Sequence, residues 1–169
     1  MTQAHKMLPP AQDLWELFNY KPLTGELIWK NSTGAAARNS VAGSLQNDGY
    51  CSVRINKRLY RAHRLVWCWV TGTDPGNHEL DHADRNRSNN AWKNLRLATC
   101  SQNRCNTKAR KNNNTGIKGV KITPTGKYQA RIAKDKVYHH LGTFDTAEQA
   151  RAAYAVAAAK LHGEFARVC

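Results

Sequence analysis

Acidic residues are scarce in this 169-residue chain: 12 Asp and Glu stand against 26 Lys and Arg, giving a formal charge of +14 and a pI of about 9.9. That balance disfavours a cationic partner and fits a polyanion or an anionic surface. A membrane is the weaker fit, because no apolar stretch approaches the ~20 residues of a span and Leu65-Val66-Trp67-Cys68-Trp69-Val70 is too short. The first residues also lack the apolar core of a signal peptide, so the expectation is a soluble protein kept where it is made. No HExxH occurs, which excludes a zinc metalloprotease of that type. Nor is there a CxxC pair: Cys51, Cys68, Cys100, Cys105 and Cys169 are odd in number. Cys100 and Cys105 are spaced loosely like zinc ligands but have no second pair nearby, so all five read as reduced thiols in a reducing cytoplasm.

What the chain does have is the stretch DHADRNRSNNAWKNLRLATCSQN, from Asp81 to Asn103. Leu80 to His82 reads as the end of a short strand, Ala83 to Trp92 as a polar loop, and Asn94 to Ala98 as a second, alternating strand. Thr99 is a good helix N-cap, and Gln102 three residues on completes a capping-box pattern that sets Asn103 in the first turns of a helix. Asp81 and the carbonyl oxygen of Asn103 are hard donors suited to a divalent cation such as Mg²⁺. His82 is suited to act as a base because imidazole has an ordinary pKa of about 6.5. Asp84, Asn86 and Ser88 alternate like a calcium loop, but the central Gly and closing Glu of an EF-hand are missing, which rejects that reading. His63 beside the apolar run reads as a packed, hydrogen-bonded histidine, and His78 as a possible support for the site.

The set Asp81-His82, Asn89-Asn90, Asn94-Leu95 and Gln102-Asn103, with His63-Arg64-Leu65-Val66-Trp67 upstream, resembles the HNH motif of phage and intron-encoded homing endonucleases. The resemblance implies a ββα-metal nuclease core in which His82 is the general base. Asn94 would pin the loop and orient that base, and Asp81 and Asn103 would hold Mg²⁺ or another divalent ion such as Mn²⁺. Gln102 stands where the family commonly carries glutamate.

On either side the chain changes character. Leu14, Trp15 and Phe18 predict a short opening helix, Pro22 to Gly25 a turn, Glu26 to Trp29 a strand, and Tyr50 to Ile55 with Arg58 to Ala62 a hairpin around Asn56-Lys57. Arg54, Lys57 and Arg61 on that hairpin are candidate phosphate contacts, along with nearby Arg58 and Arg64. Residues 108 to 114 are polar and basic and read as a linker. Three strands then follow, at Gly119 to Ile122, Lys127 to Ile132 and Val137 to Leu141. A helix capped by Thr146 and Gln149 carries a stripe of Ala147, Ala150, Tyr154, Ala157, Ala158 and Leu161 and stops at Gly163. Gly119-Val120-Lys121, Gly126 to Ile132 and Leu141 to Ala150 resemble the APETALA-type, ethylene-response-factor DNA-binding domain, over roughly residues 115 to 168. That resemblance implies a sheet entering the major groove, with Lys118, Lys121, Thr123, Thr125, Lys127, Arg131 and His140 at the matching positions.

The expected class is therefore α+β. A β-rich region would span 1–62, a nuclease core 63–107, a linker 108–114, and a three-stranded antiparallel sheet on one helix 115–169. The expected activity is hydrolysis of a phosphodiester in double-stranded DNA by a monomer that nicks, with no small-molecule cofactor, in the cytoplasm of a bacterium or phage-infected cell. A sequence-specific regulator that binds DNA without cutting also explains the charge and the C-terminal pattern. It gives Asp81, His82 and Asn103 no task.

Overall fold

The computed structural model describes residues 7–34, 36–99, 102–103, 113–134 and 137–166. The chain is α+β and divides into two compact units, Met1–Ala98 and Thr99–Cys169.

In the first unit, α1 (Ala11–Leu17) leads directly into β1 (Phe18–Lys21), which pairs antiparallel with β2 (Glu26–Trp29). Phe18, expected in the helix, lies instead opposite Trp29 in the ladder, with the two rings 4.5 Å apart. β3 (Ser44–Leu45), β4 (Cys51–Ile55) and β5 (Arg58–Arg61) form a second antiparallel sheet. The β4–β5 turn puts Asn56 and Lys57 at φ of 48° and 63°, the pair of positive values a two-residue hairpin needs to match strand twist. As expected from alternation, Val53 and Ile55 are buried, with Cys51 partly so.

The apolar run folds as α2 (Ala62–Thr71), closed by Gly72 in the left-handed conformation. Leu14, Phe18, Val53, Leu65 and Val66 are its most deeply buried neighbours and members, so the N-terminal strands and α2 share one core. Leu95 of β7 (Leu95–Ala98) belongs to the same core. β7 pairs antiparallel with β6 (Glu79–His82), placing Asp81 opposite Arg96 and His82 opposite Leu95. Asn94, expected to begin β7, sits instead at the end of a 3₁₀ turn, Trp92–Asn94.

The second unit contains the predicted three-stranded sheet. Its order is β10 (Val137–Phe144), β9 (Tyr128–Lys134), β8 (Val120–Ile122), and all of it is antiparallel. α3 (Ala147–His162) begins at a complete Thr146–Gln149 capping box and ends at Gly163. Its buried Ala150, Tyr154 and Ala158 pack on Val120, Ala130 and Ile132. Gly119, at φ of 76°, cannot be replaced there, since an added Cβ would fall 2.2 Å from the Tyr154 ring.

Candidate active site

β6 ends on His82, which is 3% exposed. His82 Nε2 lies 3.1 Å from Asn90 Oδ1. An amide oxygen only accepts, so Nε2 carries the hydrogen and Nδ1 is the ring's acceptor. Burial pushes the His82 pKa below the usual imidazole range, although the bond to Asn90 and the carboxylates of Asp84 and Asp81 act against the shift. A neutral imidazole with its far nitrogen fixed is the form in which histidine accepts a proton.

The loop after His82 is built from its own polar side chains. Asp84 Oδ1 accepts from the Asn86 amide at 2.8 Å, Asn86 Oδ1 from the Ser88 amide at 3.1 Å, and Asn89 Oδ1 from the Ala91 amide at 3.2 Å. These i to i+2 bonds are Asx turns, so the pattern that resembled calcium ligands spends its oxygens on the loop's own backbone and side chains. Asn94 ties the two ends together. Its Oδ1 accepts from the Asp84 amide at 2.9 Å, while Nδ2 donates to Asp84 Oδ1 at 2.9 Å and to the Asn89 carbonyl at 2.7 Å. The Asn94 carbonyl accepts from Ala83 N–H at 2.9 Å. Burial raises the Asp84 pKa, but hydrogen bonds from Asn89, Asn86 and Asn94 outweigh it and hold the carboxyl below its usual range.

A turn far back in sequence supports the same loop. Trp92 N–H donates to the Pro22 carbonyl at 3.1 Å, and Tyr20 donates its hydroxyl to the Asn90 carbonyl at 2.9 Å. Burial pushes the Tyr20 hydroxyl up to about 12. Gly25, at φ of 79°, is so close that a Cβ would lie 2.3 Å from Ala91 N, so any side chain there would push on the segment that holds His82.

Asp81, 7% exposed, is gripped by its cross-strand partner: Arg96 Nε and Nη2 reach Oδ2 at 3.0 and 2.7 Å. Asn103 belongs to the second unit, where its N–H donates to the Thr99 carbonyl at 3.0 Å. The predicted capping box is formed, with Thr99 N–H on Gln102 Oε1 at 2.8 Å and Gln102 N–H on Thr99 Oγ1 at 3.2 Å. Among the described residues no three His, Cys, Asp or Glu side chains cluster as metal ligands do. The donors expected here, one carboxylate and one amide carbonyl, still suit Mg²⁺, which keeps several waters and takes one or two carboxylates. Cys100 and Cys105 lie outside the described residues, whereas Cys51 and Cys68 are free thiols.

His63 is a larger part of the site than its sequence suggested. Its ring packs edge-on against His82, centroids 5.2 Å apart, and lies 5.2 Å from Tyr50. Its buried Nδ1 has no hydrogen-bond partner among the described residues, contrary to the expected bonded histidine. Burial, reinforced by His82, Arg64 and Arg61, pushes its pKa down to about 3. Relative to an unfolded value of about 6.5, the folded state binds its proton later, so stability is full above pH ~6.5 and drains as pH falls towards 3. We expect this residue to contribute about 1.4 kcal/mol per pH unit across that window. Acid unfolding curves of His63→Phe, which keeps a ring without a titrating nitrogen, should be shallower by that slope; identical curves would remove His63 as the source.

His78 serves its own turn, with Nδ1 3.2 Å from the Pro75 carbonyl. Arg54 and Lys57 are exposed on the hairpin, and Arg61 is ion-paired with Asp48 at 2.6 Å. In the second unit, register places Lys121, Gln129, Arg131 and His140 on the sheet face opposite α3. Arg131 also stacks over Tyr138, 5.4 Å from its centroid. Thr123 and Thr125 bond to each other in the β8–β9 turn, Lys127 pairs with Asp145 at 2.9 Å, and Lys118 is half-buried before β8.

Residues 60–105 match the family model described as HNH endonuclease. The chain is 32% identical over 115 residues to Protein 3.8 of Escherichia phage T7, an alignment covering 66% of this chain and 94% of that one. The chain belongs to the HNH endonuclease family. It is also 36% identical over 105 residues to a protein of Acanthamoeba polyphaga mimivirus named as an uncharacterized HNH endonuclease. That alignment covers 62% of this chain, which spans only 54% of the length of the mimivirus protein. No solved structure matches. HNH nucleases generally use a divalent metal, and the matched stretch, residues 60–105, includes His82. Three neighbours of that histidine, Asn90, His63 and Tyr50, were not singled out from sequence as parts of the reacting site. Asn90 stood inside the motif, while Tyr50 comes from the turn before β4 and His63 from α2, positions that no local spacing links to it.

Proposed function

We propose that this family member is a DNA endonuclease of the homing type that hydrolyses one phosphodiester per encounter and so nicks duplex DNA. The observation that carries the reading is His82, buried and neutral, with Nε2 fixed by Asn90 and Nδ1 left to accept. In the proposed reaction His82 Nδ1 removes a proton from water as the water oxygen bonds to phosphorus and the bond to the leaving oxygen breaks. Asp81 and the carbonyl oxygen of Asn103 would hold a divalent ion, Mg²⁺ or one such as Mn²⁺. Bound there, the ion supplies positive charge at the leaving oxygen. Arg96 positions the Asp81 carboxylate, and Asn94 keeps the loop folded under His82. In this scheme residues 63–107 are the ββα-metal core, with β6 and β7 as its two strands, and 108–114 is a linker.

The remainder, 115–169, we assign to DNA targeting. Lys121, Arg131 and His140 on one open sheet face, away from the helix that covers the other, support that assignment, since a β-ribbon of this kind fits a major groove. Lys118, Thr123, Thr125 and Lys127 would line its edge, and Arg54, Lys57 and Arg61 would add contacts from the first unit. Among the described residues no helix is long and apolar enough to cross a membrane. A monomer in a bacterial or phage-infected cytoplasm is the working state we propose.

Truncation after about residue 112 tests the whole scheme. Both forms should cut plasmid in Mg²⁺, but the truncated form should lose site preference, because phosphate contacts position and base contacts specify. Its salt dependence should be shallower by about 0.9 in log–log slope for each phosphate it no longer neutralises. An unchanged cleavage pattern and slope would remove the targeting role, and no cutting by either form would leave a DNA-binding regulator.

A further inference from the structure

Tyr50 is flanked by two guanidinium groups. Arg61 Cζ lies 5.0 Å and Arg87 Cζ 4.9 Å from the ring centroid, and the same ring is 5.9 Å from that of His82. The three residues come from separate places, the turn before β4, the end of β5 and the loop after β6. Two cations on one ring repel each other, so the arrangement needs compensation. Asp48 supplies half of it. Its carboxylate takes Arg61 Nη2 at 2.6 Å and Nη1 at 3.2 Å, and the Arg61 hydrogen bond holds the Asp48 pKa below its usual range. Arg87 receives no such carboxylate among the described residues: its Nη1 donates instead to the Asp48 backbone carbonyl at 2.9 Å. An exposed arginine has therefore been stacked, tethered by one N–H and left with its charge unneutralised. A planar fork already ordered in this way gives up less freedom when it binds a phosphate through its remaining N–H groups.

We propose that Arg87, with Arg61 beside it on Tyr50, clamps a backbone phosphodiester of the strand being cut, next to the phosphate that His82 serves. The assignment rests on the endonuclease reading for its substrate. Since Tyr50 adjoins both arginines and His82, a phosphate held on Arg87 is a near neighbour of the reacting one. Salt bridging to a protein carboxylate would not account for the geometry, because the carboxylate of Asp48 is engaged by Arg61 and Asp48 offers Arg87 its backbone carbonyl instead.

The test measures binding of the full-length protein to duplex DNA in chelator, over a range of salt. Arg87→Ala should reduce the log–log salt slope by about 0.9, the value for one phosphate. Lys93→Ala removes the same charge from an exposed position of the same unit and should leave the slope near that of the unmodified protein. Arg87→Lys should keep most of the slope. In Mg²⁺, Arg87→Ala should raise KM several-fold with kcat little changed. Thermal unfolding of each variant, with Arg87→Gln as a second replacement, separates weakened phosphate binding from a damaged fold. An unchanged slope for both Arg87→Ala and Arg87→Gln, or an equal fall for Lys93→Ala, overturns the clamp. Should the unmodified protein bind but not cut, the endonuclease reading fails while the slopes still decide the clamp.

Discussion

Replacing His82 by Ala should remove strand cleavage while leaving DNA affinity nearly intact. A positioned general base contributes roughly 10²–10⁴-fold to a rate, so cutting at saturating DNA should fall by that factor. Binding should survive because affinity for duplex DNA is spread over many phosphate contacts and His82, 3% exposed, offers little surface to it. His82 is packed against His63 and Tyr50, so the variant's thermal unfolding has to accompany its rate. Cleavage at the unmodified rate by a folded His82→Ala protein would assign the base elsewhere.

Asn94→Ala should lower stability and activity together. The side chain holds Asp84 through both its oxygen and its nitrogen and also caps the Asn89 carbonyl. Removing it strands part-buried backbone groups, at a cost of about 1–3 kcal/mol. In a unit of this size that is a fall in Tm on the order of 10 °C. Turnover should fall as well, since Asn90, which orients His82, lies on the segment that Asn94 anchors. A loss of turnover with unchanged thermal unfolding would mean that Asn94 acts directly on the reaction and not by pinning the loop.

Local chemistry was the legible part of this chain. Both capping boxes, at Thr99–Gln102 and Thr146–Gln149, form as written, because they depend on two side chains three residues apart. The C-terminal strands and the Asn56-Lys57 turn follow alternation and turn chemistry in the same way. Where the fold is decided at a distance, sequence was silent or misleading. Phe18 leaves the helical pattern because pairing with Trp29 buries its ring. Leu65 to Val70 could be helix or strand by composition and becomes helical against β4 and β5. At the site, Asp81, His82 and Asn94 were visible as a motif. The wall of His63 and Tyr50, the Pro22–Gly25 turn under Ala91 and the Arg61–Asp48–Arg87 tether all join residues from different elements, which no spacing rule connects.

The most direct measurement is made on the unmodified protein and supercoiled plasmid, with Mg²⁺ in one reaction and a chelator in the other. The account predicts conversion to open circles in Mg²⁺ and none in chelator, with DNA bound in both. Binding without a break in the presence of Mg²⁺ or Mn²⁺ would contradict it.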